Sequence, residues 1–169
     1  MTTDQTIDVA IIGGGPAGYA AAIYAARANL TTTVFEQGMS GGQIATSNEI
    51  ENYPGIPLLT GAELGERFQQ HAEGLGARVE WSMVTGVDYD ADAAQFTIHH
   101  DMGDTAAKSV IACMGATPRP AGFVGEDTYR GRGVSYCATC DGMFFRGKQV
   151  FVIGGGNSAC EEALFLSDI

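Results

Sequence analysis

The feature that most constrains this chain is a glycine-rich turn between a buried strand and a helix. The apolar segment 7–12 is the predicted strand, and Gly13, Gly15 and Gly18 follow it in the spacing G-x-G-x-x-G. An alanine-rich helix is predicted over 19–29. The first glycine permits a tight turn, the second lets the backbone approach a pyrophosphate, and the third lets helix and strand pack closely. The segment therefore predicts a Rossmann-like α/β domain that binds a dinucleotide.

The second strand of the same unit strengthens this prediction. The segment 31–35 is rich in β-branched residues, and Glu36 lies 18 positions after Gly18. An acidic side chain here can accept hydrogen bonds from an adenosine ribose, and the helix N-terminus offers free N–H groups to the pyrophosphate. A glycine-rich turn without a ligand is the alternative. The motif itself does not distinguish FAD from NAD.

An amphipathic helix is predicted over 60–76. Thr60 and Glu63 have the spacing of a capping box at its start. The residues predicted to share its apolar face are Leu64, Phe68, His71 and Leu75. Further strands are predicted over 77–87, 96–100 and 109–112, the last of which returns to the sheet.

Pro118 and Pro120 mark the predicted domain boundary, because two prolines in four residues interrupt any regular element. The first domain is assigned to 1–116 and the second to 117–169. No stretch of 18 apolar residues occurs and the first residues lack the basic start of a secretion signal, so no membrane segment is expected. A net charge of -11 argues against a nucleic-acid surface.

A second glycine cluster lies near the C-terminal end of the sequence. A strand is predicted over 149–153, Gly154 begins the cluster, and a helix follows over 157–166. The string Ile-Gly-Gly-Gly begins at both Ile12 and Ile153, which predicts a second nucleotide-binding unit. A helix start without a ligand is the alternative. Since the sequence ends 15 residues after Gly154, and a βαβ unit needs about 30 residues, this second unit is expected to be incomplete.

Cys137 and Cys140 form a C-x-x-C pair, whereas Cys113 and Cys160 stand alone. A zinc site needs two further ligands, and the histidines lie in unrelated segments, so no metal is predicted. A redox-active dithiol is favoured over structural zinc and over inert thiols. Cys113 is predicted to be a small buried hydrophobe rather than a third redox thiol.

Several stretches carry a resemblance to a known family. They are GGGPAGYAAAIYAARA at 13–28, GGQ at 41–43, ENYPG at 51–55, GRGVSYCATCDG at 131–142 and GGGNSA at 154–159. They resemble the low-molecular-weight, bacterial-type thioredoxin reductases of the pyridine nucleotide–disulfide oxidoreductases, class II. The resemblance implies a three-layer Rossmann-like FAD-binding domain, incomplete here, and the start of an NAD(P)H-binding domain that carries the cysteine pair. It covers about half of a full-length family member, so an N-terminal fragment is expected.

The resemblance also implies cofactor contacts. Those expected for FAD are Gly13, Gly15, Pro16, Ala17, Gly18, Glu36, Gln37, Gly41, Gly42, Gln43, Asn52 and Gly115. Those expected for NADPH are Gly154, Gly156, Asn157 and Ser158. A plain surface turn is the alternative for the segment at Asn52. Met114 departs from the family, which usually has threonine there, and removes any flavin hydrogen bond from that side chain.

In the family, the cysteine that matches Cys137 attacks the thioredoxin disulfide, and the one that matches Cys140 faces the flavin. The acid that matches Asp141 handles protons during exchange, which suits the need to form and protonate thiolates. Asp141 before Gly142 also fits a turn. Electrons are expected to reach the pair from NADPH through FAD and to leave to thioredoxin, with a hinge at 118–122.

The resemblance further implies a cytoplasmic protein that is a homodimer at full length. A peroxiredoxin-reducing flavoprotein or a dithiol oxidase on the same scaffold is one alternative. A flavin-binding fragment without catalytic activity is the other.

Overall fold

The computed structural model describes residues 6–169, which form two compact units divided between Ala116 and Thr117. The first unit begins with a βαβ arrangement. Strand β1 (Ile7–Ile12) leads into helix α1 (Pro16–Arg27), and strand β2 (Thr32–Glu36) lies parallel to β1. This confirms the predicted unit around the glycine motif.

A second helix and four further strands complete the first unit. Helix α2 (Gly61–Gly74) precedes strand β3 (Arg78–Trp81), which pairs in parallel with β2. Strands β4 (Val84–Asp90), β5 (Gln95–His100) and β6 (Gly103–Ala112) follow as an antiparallel meander. The C-terminal part of β6 lies parallel to β1 and so joins the two parts of the sheet.

The strand order shows how the layers arise. The order is β3-β2-β1-β6-β5-β4, so β3 and β4 lie at opposite ends of the ladder. Ser82 and Met83 alone connect them, so the meander must fold back over the parallel strands. Two hydrophobic clusters fill the resulting spaces. The cluster against the helices contains Ile11, Tyr19, Val34 and Ala72, and the cluster beneath the meander contains Ala10, Phe35, Ile98 and Ala107. The predicted three-layer α/β fold is confirmed.

Two local predictions in this unit are wrong. The segment 77–87 is two strands rather than one, because its halves pair with different edges of the sheet. The capping box of Thr60 and Glu63 is present, but His71 and Leu75 are exposed. The buried face of α2 instead contains Gly61, Leu64, Gly65 and Ala72, with Phe68 partly buried. Small residues occupy this face because a loop lies directly against it.

The second unit contains three helices: α3 (Glu126–Tyr129), α4 (Ala138–Asp141) and α5 (Asn157–Ser167), with a 3₁₀ turn over Gly142–Phe145 after α4. The strand predicted over 149–153 is absent from it. A strand forms by hydrogen bonding to a neighbour, and no described segment pairs with these residues. Phe151 and Ile153 are consequently exposed. Among the helices described, none is long and apolar enough to span a membrane.

A partly exposed histidine in the meander gives a testable pH dependence. The His99 ring lies between two carboxylates, with Nδ1 2.8 Å from Asp104 Oδ1 and Nε2 3.1 Å from Asp88 Oδ2. Hydrogen bonding to Asp104, and then to Asp88, raises the pKa of His99 above its ordinary value of 6.5. A raised pKa stabilises the fold most below that ordinary value, and the contribution disappears as pH rises through the folded pKa.

We therefore expect the free energy of unfolding, measured by urea denaturation, to fall because of this group as pH rises above the ordinary pKa of 6.5 and through the higher pKa of the folded state. The variant His99→Asn should flatten that part of the pH dependence, and Asp104→Asn should weaken it. Equal pH slopes for wild type and His99→Asn would contradict the assignment.

Candidate cofactor sites and redox centre

The first glycine loop is shaped by close backbone contacts. Gly13 has φ +105°, and a Cβ there would lie 2.3 Å from the carbonyl oxygen of Cys113. A Cβ on Gly18 would lie 1.9 Å from the carbonyl oxygen of Gly13. Only glycine fits such positions without displacing backbone. The loop is thereby held between β1, the start of α1 and the end of β6.

Glu36 lies at the carboxyl end of β2 and fixes two loops. Its Oε2 accepts a hydrogen bond from the Gly14 amide at 2.6 Å, and its Oε1 accepts one from the Gly38 amide at 2.8 Å. Each carboxylate oxygen retains capacity for a further bond. Glu36 can therefore shape the loop and still accept a hydroxyl donor from a ligand.

The N-terminus of α1 faces open space. Gly15 is the N-cap, no side chain caps the helix, and the first helical bond runs from the Tyr19 amide to the Gly15 carbonyl. A Cβ on Gly15 would meet only the Gly41 carbonyl oxygen, at 3.9 Å, and one on Gly42 would lie 3.4 Å from the Gly15 Cα. Two glycine loops thus face each other beside uncapped helix N–H groups, a geometry suited to a phosphate anion.

The second of these loops is supported by residues that the sequence did not reveal. The Gly41 amide donates to the Gly14 carbonyl at 2.8 Å. Beneath the loop, the buried Tyr19 hydroxyl lies 2.8 Å from Ser40 Oγ, which donates to Gln69 Oε1 at 2.5 Å. Burial raises the pKa of Tyr19, so the phenol stays neutral. A Cβ on Gly65 would lie 2.2 Å from the Ser40 carbonyl oxygen, which shows how closely α2 approaches the loop.

The remaining FAD candidates lie on the surface of the first unit. Gln37 is exposed on the loop after β2, and Gln43 is exposed in the 3₁₀ turn Gly42–Thr46 that follows this loop. Asn52 is exposed next to a turn whose Tyr53 ring lies 5.6 Å from that of Phe68 on α2. The other exposed candidates are Pro16, Ala17 and Gly115. The structure therefore groups the glycines and Glu36 around the start of α1, and leaves the surface candidates as predictions.

The cysteine pair forms a disulfide at the start of α4. Cys137 and Cys140 are bonded with their Cα atoms 5.3 Å apart. Cys137 is half-buried, Cys140 is exposed, and the Cys140 amide donates to Cys137 Sγ at 3.2 Å. An N–H directed at this sulfur would stabilise a thiolate on Cys137 after reduction.

Asp141 is held beside the disulfide by a serine. Ser135 Oγ donates to Asp141 Oδ2 at 2.5 Å and accepts a hydrogen bond from the Cys137 amide at 3.1 Å. The turn considered for Asp141 and Gly142 is wrong, because both residues continue the helical backbone. A Cβ on Gly142 would lie 2.9 Å from Ile169 Cδ1, at the flexible end of that side chain.

The second glycine loop precedes α5. Gly156 is the N-cap, no side chain caps the helix, and Asn157 and Ser158 are exposed in its first turn. A Cβ on Gly155 or Gly156 would meet no atom within 4 Å. The loop therefore leaves room for a ligand.

Cys113 and Cys160 are free thiols outside the disulfide. Cys113 is half-buried, and burial raises the pKa of its thiol, whereas Cys160 is exposed. A raised pKa disfavours the reactive thiolate at Cys113. Within residues 6–169 there is no cluster of His, Cys, Asp and Glu side chains that could hold a metal ion.

A three-layer Rossmann-like unit followed by a C-x-x-C disulfide and a second glycine loop is an arrangement typical of the nucleotide-dependent disulfide oxidoreductases. Comparison with protein-family models agrees, since the model described as pyridine nucleotide-disulphide oxidoreductase matches residues 7–169. The chain belongs to this family.

Individual relatives confirm the resemblance to thioredoxin reductases. The chain is 42% identical to thioredoxin reductase of Bacillus subtilis over 99% of its own length and 52% of that protein. It is 44% identical to thioredoxin reductase of Escherichia coli O157:H7 over 100% of its length and 52% of that protein. The crystal structure of thioredoxin reductase from Streptococcus pyogenes superposes with a TM-score of 0.91 at 41% identity, over 98% of this chain and 54% of that one. The chain thus spans about half the length of these relatives.

Proposed function

We propose that this chain acts within a thioredoxin-disulfide reductase, in which the Cys137–Cys140 pair receives electrons from NADPH by way of FAD and passes them to thioredoxin. The observation that carries this proposal is the disulfide itself. Its Cys140 is exposed, and the Asp141 carboxylate beside it is held by a hydrogen bond. The names of the relatives supply the partner, since they are thioredoxin reductases.

The first unit supplies the FAD site of this proposal. Bound FAD would provide a redox group that accepts a hydride and reduces a disulfide. The N–H groups at the start of α1 would hold its pyrophosphate, since they are uncapped and face Gly41 and Gly42. Glu36 would accept the ribose hydroxyls with the lone pairs that its two backbone donors leave free. The fit of the described residues to a dinucleotide supports this assignment.

The second unit supplies the NADPH loop and the exchange chemistry. The loop at Gly154–Gly156 and the uncapped start of α5 would hold a second pyrophosphate. When Cys137 attacks the thioredoxin disulfide, one S–S bond breaks and another forms, and the departing thiolate needs a proton. Asp141 ends α4 directly after Cys140 and would supply or remove protons at this stage. The homodimer and the cytoplasmic location are part of the same proposal.

Exchange with thioredoxin can be tested in the chain as it stands. Oxidised protein is mixed anaerobically with excess reduced thioredoxin, separated under acid, and its free thiols are counted. The expected gain is two thiols, because one disulfide accepts two electrons and two protons. The Cys160→Ser variant should show the same gain, since Cys160 lies outside the pair. If dithiothreitol opens the disulfide but thioredoxin does not, the proposed partner is wrong.

A further inference from the structure

A buried carboxylate in the second unit lies outside the chemistry described above. Glu126 begins α3 and is only 4% exposed. Its Oε1 accepts hydrogen bonds from the Ala121 amide at 2.8 Å and from the Tyr136 hydroxyl at 2.5 Å, and its Oε2 accepts one from the Gly122 amide at 2.6 Å. A buried charge is stable only when it is paired in this way, so the three donors and the carboxylate form one unit.

The three donors come from two functionally distinct segments. Ala121 and Gly122 end the proline-rich segment that follows the division between the two units. Tyr136 directly precedes Cys137. The Arg130 guanidinium lies over the Tyr136 ring, 4.9 Å from its centre, in a cation–π contact. The Glu126 carboxylate therefore links the end of the proline-rich segment to Tyr136, the residue before Cys137.

The electrostatics show that this tie is made by the charged form. The Tyr136 hydrogen bond, followed by the Ala121 amide, lowers the pKa of Glu126, and the same bond raises the pKa of Tyr136. A lowered carboxyl pKa means that the stabilisation is present above the ordinary value of 4.5 and is lost as pH falls through the folded pKa. At neutral pH Glu126 is therefore an acceptor and Tyr136 a donor.

We propose that Glu126 and Tyr136 are positioning residues that hold Cys137 in the place from which the Cys137–Cys140 disulfide closes, an inference that rests on the redox function proposed for this pair. Disulfide closure is intramolecular, and its equilibrium depends on how far the two thiols can move apart in the reduced state. A tether on the residue next to Cys137 restricts that motion and so favours the closed, oxidised pair.

The test is the redox equilibrium of the pair in wild type and in Tyr136→Phe. The protein is equilibrated with buffers of oxidised and reduced dithiothreitol. When the disulfide forms, the two cysteines give two electrons and two protons to oxidised dithiothreitol, whose own disulfide opens. The phenylalanine keeps the ring beside Arg130 and removes only the bond to Glu126. We expect the equilibrium constant for disulfide formation to fall by about three- to tenfold.

Two further variants separate positioning from plain stability. Tyr129→Phe removes a hydroxyl from an exposed tyrosine in the same unit, and should leave the equilibrium constant unchanged. Glu126→Gln places an amide N–H opposite one of the backbone donors and should lower the constant at least as much as Tyr136→Phe. If Glu126→Gln does not fold, Tyr136→Phe still decides the question.

A thermal unfolding scan accompanies each redox titration. If Tyr136→Phe lowers the Tm while the equilibrium constant stays at the wild-type value, the tie is merely structural and the inference is overturned. A wild-type disulfide that dithiothreitol opens and thioredoxin does not would instead count against the proposed function. The two failures are therefore distinguishable.

Discussion

Cys140→Ser is expected to stop thioredoxin reduction at a mixed disulfide. The Cys137 thiolate can still attack the thioredoxin disulfide, which creates a bond between the two proteins and releases one thioredoxin thiolate. The serine hydroxyl cannot then open that bond, so no internal disulfide forms and thioredoxin is not released in its dithiol form. In a complete enzyme with this change, turnover should fall on the order of a thousandfold or more.

The measurement is non-reducing mass spectrometry of Cys140→Ser mixed with a thioredoxin that retains a single, activated active-site cysteine. One thioredoxin is expected to be bound covalently to each chain, and dithiothreitol should separate the two proteins by reducing the disulfide between them. The matched variant Cys137→Ser should form the complex far more slowly. If Cys137→Ser forms it readily and Cys140→Ser does not, the two cysteines have exchanged roles. If the complex also requires Cys160, the assignment of the pair to thioredoxin is wrong.

Gly18→Ala is expected to disrupt the first nucleotide loop. Its Cβ would lie 1.9 Å from the Gly13 carbonyl oxygen, so either α1 or the loop must move. The Gly18 Cα and the Gly13 carbonyl oxygen both belong to the backbone. Relieving the clash therefore shifts the helix N-terminus that the proposed pyrophosphate would contact. We expect a loss of roughly 2–3 kcal/mol in the free energy of unfolding, together with loss of FAD binding.

Gly74→Ala is the matched control, because Gly74 ends α2 and a Cβ there would meet nothing within 4 Å. It should retain wild-type behaviour, or gain up to about 1 kcal/mol from the better helix propensity of alanine. Urea denaturation and the flavin absorbance of both variants make the comparison. Equal stability and flavin retention in Gly18→Ala and Gly74→Ala would contradict the loop geometry.

The parts of the fold that sequence could predict are those determined by neighbouring residues. The glycine spacing, the strand before it and the helix after it lie within about 25 residues, and β1, α1 and β2 formed as expected. The capping box of Thr60 and Glu63 is equally local and was confirmed. The resemblance of whole segments carried the family assignment, which the comparisons confirmed.

The failures arose where distant segments decide the outcome. Periodicity placed Leu75 on the buried face of α2, but the helix ends at Gly74 and Leu75 is exposed, whereas Gly65 packs against the loop at Ser40. The segment 149–153 has strand propensity, yet a strand requires a neighbour and none of the described segments pairs with it. Glu126 gave no signal in sequence, because its donors Gly122 and Tyr136 are brought to it only by folding.

An absorbance spectrum of the purified chain, from about 300 to 600 nm, after addition of FAD and removal of the excess, tests the proposed FAD site most directly. We expect a retained flavin band close to one FAD per chain, since the uncapped start of α1, the two glycine loops and Glu36 lie together in the first unit. A folded but colourless protein would contradict the expectation that the residues of this unit suffice to hold FAD without the rest of a full-length family member.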